Sequence, residues 1–191
     1  FTFNFIGMVV FLPLISQTAR LLRHIIPGKD SILTDLGNLE LDEMLIEKFP
    51  AAALDQIRTA IIQESVVALE TIKASKEYLN TKDKKYYQTV KEAESMVNDM
   101  DTKIQAYLLN FAQNQAPVDI EAELQSYLQV QINVERISDL GENLAEYFNE
   151  ILESGSSYNE EAVADLNDIY DLVINNIASA VEVFELKDMA K

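Results

Sequence analysis

Asn133-Val134-Glu135-Arg136-Ile137-Ser138-Asp139-Leu140-Gly141-Glu142-Asn143 sits inside a long helical pattern. At 3.6 residues per turn, Glu135, Asp139 and Glu142 fall at i, i+4 and i+7 and stack on one face. Leu124 and Leu128 share that face on one side, and Leu152 on the other. A carboxylate row therefore interrupts what should be a core stripe. Three acids on one apolar face repel each other and are costly to desolvate unless something positive lies between them. The row reads as a site.

The helix that carries it is expected over residues 120–153. It has a second apolar face, with Val130, Ile137, Leu144 and Ile151 opposite Glu135. A helix that is apolar on two sides is wrapped by neighbours on both, so the row is hard to read as a solvated edge. Gly141 costs this helix about 1 kcal/mol against Ala. Close backbone packing or room for a ligand would explain it.

Upstream, a helix is expected over residues 85–114. Glu94, Asn98 and Asp101 share a face there with Tyr87, Val97, Leu108 and Phe111, forming a second polar island in an apolar stripe. Before it, a long helix runs over residues 42–79 with a break or restart at Pro50. Leu54, Ile57, Ile61, Ala68 and Ile72 keep its period. Glu64 falls on that inner side, where it reads as an extra ligand or, preferentially, as an i+4 surface partner or a half-exposed edge. Asn-Thr-Lys-Asp-Lys at 80–84 makes the turn between these two helices.

Downstream, Ser154-Gly155-Ser156-Ser157 is a linker-like turn. A fourth helix over 160–185 follows, with Val163, Leu166, Ile169, Val173, Ile177, Ala180 and Phe184 expected inward. Residues 71–83 echo 176–188, with Ile, Glu, Lys and Asp recurring at matching places. The fourth helix would then open a second repeat, unless the echo is chance between two amphipathic helices. All-α is the expected fold class: an antiparallel bundle over 43–154 followed by the first helix of a second repeat over 155–191.

Residues 1–26 differ in composition. The run from Phe1 to Ile15 is nearly all apolar, yet shorter than the about 20 apolar residues a bilayer crossing needs. Arg20 and Arg23 follow, then Lys29, which places the exit from a membrane on the cytoplasmic side. We read 1–26 as the end of a membrane segment in a piece of a longer protein, with 27–42 as its connector. A buried or dimer-forming helix of a soluble protein is the competing reading.

The 191 residues carry a net charge of −17 and no cysteine. Disulfide scaffolds and thiolate chemistry are excluded, and the charge argues against nucleic acid. An acidic chain is instead a natural host for cations through oxygen ligands. The one histidine, His24, lies outside the bundle. With no glycine-rich phosphate loop and no nucleophile elbow either, no enzyme is expected.

Glu135-Arg136-Ile137-Ser138-Asp139, followed by Glu142-Asn143-Leu144-Ala145-Glu146, resembles the ERI.D...N.AE signature of PhoU domains. Those are antiparallel helical bundles of two three-helix repeats. Their E/D-x-x-x-D motifs, on two helices of each repeat, hold multinuclear iron or other metal clusters. The resemblance implies metal ligands among Glu94, Asn98, Asp101, Glu135, Asp139 and Glu142. Glu135 and Asp139 match the motif in full. Glu94 matches the acidic start of the other motif, but Asn98 stands where Asp is expected, with Asp101 one turn on.

Thr2-Phe3-Asn4-Phe5 through Phe11-Leu12-Pro13-Leu14 is similar to the end of the membrane domain of bacterial Na+/phosphate cotransporters, which often carry a C-terminal PhoU-like domain. The Gln-Ser-Ser-Ser motifs associated with transport in that family are absent. The resemblance implies a regulatory domain on the cytoplasmic face of the inner membrane. Its metal would be iron or another divalent cation. Its partners would be the membrane transport domain of the same polypeptide and a second copy in a homodimer. A free-standing PhoU-type adaptor in phosphate signalling, and a structural bundle without metal, are the alternatives.

Overall fold

Asp42 opens the ordered helices: its side chain accepts from the Met44 amide and caps a short helix α1, Glu43–Lys48. Pro50 restarts the chain as α2, Pro50–Thr81, taking the first-turn position where its missing N–H costs nothing. Helices α3 (Lys84–Gln113), α4 (Val118–Glu153) and α5 (Glu160–Glu185) follow. The computed structural model describes residues 37–113 and 118–186; the expected membrane segment over 1–26 lies outside them. Among the described residues there is no strand, and no helix is long and apolar enough to cross a membrane.

Local chemistry sets the corners. Lys82 takes the left-handed conformation, φ 60°, and its amide closes α2 onto the Tyr78 carbonyl. Asp83 then accepts from the Lys85 amide and starts α3. Gly155, at φ 74°, ends α4, with its amide on the Leu152 carbonyl and that of Ser156 on Ile151. Asn159 caps α5 by accepting from the Ala162 amide at 2.7 Å.

Helix α2 is the hub, packing on every other helix. Short corners make α3 antiparallel to both of its neighbours, so α2 and α4 run parallel. Thr71 meets Ser138 at 3.2 Å and Tyr78 donates to Asn149 at 2.9 Å, with residue numbers rising together on the two helices. Gly141 lies against Thr71 and Ile72 of α2. A Cβ there would stand 3.0 Å from Thr71 Cγ2 and 3.2 Å from the Thr71 carbonyl carbon. Of the two explanations the sequence left open, close packing is the one found.

Helix α5 lies antiparallel on α2. Asn80 pairs with Asn167, Lys76 with Asp171 and Ser75 with Tyr170 (2.7 Å), while Arg58 donates to the Glu185 carbonyl at the far end. These polar pairs fix its rotation, and the expected inward stripe is partly out of phase. Ile169 is 58% exposed, and Val173 and Ala180 are also exposed. Tyr170 is buried instead, with Leu166, Ile174 and Ile177 packed beside it. Two overlapping apolar stripes run along α5, and periodicity alone cannot choose between them.

Helix α4 resolves into three lines. Leu124, Tyr127, Gln131, Val134, Ser138, Gly141, Ala145 and Phe148 are its buried centre against α2. Val130 and Ile137 flank it on one side and, with Ile177 and Phe184, line an apolar groove of about 610 Å³ beside α5. Glu135, Asp139 and Glu142 flank it on the other side, half-buried and facing α3.

Candidate functional site

The seam between α3 and α4 is antiparallel, and its residues meet in sequence-reversed order. At one end Lys84 reaches Glu153 at 3.0 Å. Two turns along, Lys91 bridges Glu142 (2.8 Å) and Glu146 (2.5 Å). Those two carboxylates hold the Lys91 ammonium well above the usual lysine range. Beyond Lys91 the seam changes character, and acids face acids.

Glu94 feels Glu142 and Asp139, and Asp101 feels Asp139; both carboxyls are held above their ordinary range, by burial first and by these like charges second. Glu135 is raised in the same way, by burial and then by Asp139 and Asp101. Lys91 eases Glu94, and Arg136 eases Glu135. The acids outnumber these cations.

The amides of the seam are already engaged. Asn98, on the exposed edge, donates to Glu94. Gln105 donates to Asp101 Oδ2 at 2.8 Å, and Gln131 donates to Asp101 Oδ1. Glu94, Asp101, Glu135 and Asp139 thus converge electrostatically, Asn98 sits at their rim, and Glu142 is committed to Lys91. As the side chains stand, no three Asp, Glu, His or Cys among the described residues close on one point in a way that could hold a metal ion.

Beneath the row lies Glu64. The sequence placed it on the inner side of α2 and preferred a surface partner at the helix edge; in the structure it is fully buried, 0% exposed. Neither of its carboxyl oxygens has a hydrogen-bond partner. Burial, then the charges of Asp101 and Glu135, push its carboxyl up to about 9. Gln131 is equally buried, and its Oε1 is likewise unpartnered. Gln131 escaped sequence reasoning because a lone glutamine on a mixed helix face carries no periodic signal.

Fold and seam together define a class: an all-α antiparallel bundle whose half-buried helix interface is lined with carboxylates. A protein-family model, the PhoU domain, matches residues 61–148, a span that runs from Glu64 past Glu142. No curated protein and no solved structure matches the chain at a significant level. Residues 61–148 are thus similar to a PhoU domain. PhoU domains are regulatory rather than catalytic.

The donor set suits a hard cation in kind: carboxylates and amide oxygens, with no sulfur and no imidazole. The oxygens of Glu64 have no hydrogen-bond partner; burial keeps the carboxyl protonated, and a cation at the seam would favour its charged form.

Proposed function

We propose that the domain is a cytoplasmic regulatory module of a Na+/phosphate cotransporter, set at the inner membrane, that binds metal and modulates phosphate uptake. The observation that carries the metal reading is the mutual repulsion that couples Glu94 and Asp101 on α3 to Glu135 and Asp139 on α4 within the PhoU-matching span. Mutual repulsion across a half-buried seam favours any ion that neutralises it. Asn98, at the rim, would offer its amide oxygen by releasing Glu94. Glu142 would join only by loosening its pairing with Lys91.

A bound cation would supply positive charge at the surface of an otherwise acidic protein. That charge would let phosphate or an acidic partner approach. The residues themselves set how far the α3–α4 seam opens: uncompensated, they push the two helices apart, and neutralised, they let them close. The transporter context is supported by the apolar run ahead of Arg20 and Arg23 and by the connector that leads from it to α1.

The test is uptake. In cells expressing the full-length protein, Glu135→Ala with Asp139→Ala is expected to change phosphate uptake and to strip the purified protein of metal by elemental analysis. Unchanged metal content would dispose of the ligand assignment. Unchanged uptake in a metal-free variant would dispose of the regulatory role.

A further inference from the structure

Helices α2 and α4 run parallel, and Thr71 touches Ser138. Seven residues earlier on each helix, two turns back along both, stand Glu64 and Gln131. Equal spacing on parallel helices places these two in one layer of the α2–α4 contact. From α3, Asp101 closes the same layer, since it accepts from Gln131 and its charge acts on Glu64. Glu135 stands one turn on from Gln131 and also acts on Glu64.

Three oxygens in this layer have no hydrogen-bond partner: both of Glu64 and the Oε1 of Gln131. Buried acceptors without donors are rare. Ile57, Ile61 and Ala68, which flank Glu64 along α2, are buried and apolar, so no neighbouring side chain of that helix supplies a proton. Oxygens buried in one layer without a partner are satisfied by a proton on Glu64 or by a cation.

We propose that Glu64, Gln131 and Asp101, with Glu135 at the rim, form an inner position for one hard divalent cation, beneath the acid row of the α3–α4 seam. This rests on the metal reading above and adds a third helix to it. A set of carboxylates and an amide carbonyl needs no cluster of three acids on one point, because water completes the shell of an oxygen-loving ion. Binding there ties α2, α3 and α4 together at one level of the bundle, so occupancy is communicated to the hub helix.

Calorimetric titration of the chelated protein with Mn2+ tests the proposal. Glu64→Gln, which keeps shape and removes charge, is expected to weaken Mn2+ binding about tenfold or more while the metal-free protein melts no lower than the parent. Gln131→Met is the second variant, and it is expected to weaken binding with Asp101 and Glu64 in place. Parent-like Mn2+ affinity in both would overturn the inner position and leave Glu64 as a neutral acid donating to Gln131. The row reading would still stand if Glu135→Ala with Asp139→Ala lost the ion. Absence of Mn2+ binding by the parent would overturn the row and the inner position together.

Discussion

At the scale of single residues, Glu64 governs how the metal-free protein responds to pH. Its carboxyl is pushed up to about 9 in the fold, against about 4.3 when unfolded. The folded state therefore keeps a proton that the unfolded chain releases. The stability this gives is complete below the unfolded value and lost as pH rises through about 9. Asp101 and Glu135, which face it, are also raised and act with the same sign. In the presence of chelator, denaturant midpoints are expected to fall between pH 5 and 9, with a limiting slope of about 1.4 kcal/mol per pH unit for each proton. Glu64→Gln should flatten that slope, and a slope unchanged by the substitution would contradict the assignment. The sequence placed Glu64 on the inner side of α2, but depth of burial depends on how α3 and α4 close over it. No pattern within one helix carries that information.

At the scale of elements, α2 and α4 pack tightly where Gly141 faces Thr71 and Ile72. Replacing Gly141 by Ala gains helix propensity of about 1 kcal/mol. The added methyl would meet the Thr71 side chain at 3.0 Å and its backbone carbon at 3.2 Å. Overpacking of this kind costs roughly 1–3 kcal/mol. Gly141→Ala is expected to lose stability on balance, read as a lower melting temperature. A rise would mean that the α2–α4 contact yields freely. The helices themselves were legible, because Pro50, the 80–84 turn and Ser154-Gly155 mark their ends in ways the backbone must obey. The rotation of α5 was not: Ile169, Leu172 and Val173 form a stripe as apolar as the buried one, and the pairs with Ser75, Lys76 and Asn80 decide between them.

At the scale of the molecule, the charge of −17 and the acid-lined seam act in the same direction. Both destabilise the bundle through self-repulsion, and a bound cation would relieve both. The row of Glu135, Asp139 and Glu142 was visible in the sequence because its spacing is local. Its meeting with Glu94 and Asp101, and the loss of Glu142 to Lys91, come from the antiparallel register of α3 and α4. That register is set by pairs 30 to 69 residues apart. An ion that binds only the folded state stabilises it by mass action, about 2.7 kcal/mol at a hundredfold excess over its dissociation constant. The decisive measurement is the melting temperature of the chelated protein with and without saturating Mn2+. The account predicts a rise of several degrees that disappears when Glu135 and Asp139 are both replaced by Ala. No rise in the parent, or an equal rise in the double variant, would contradict it.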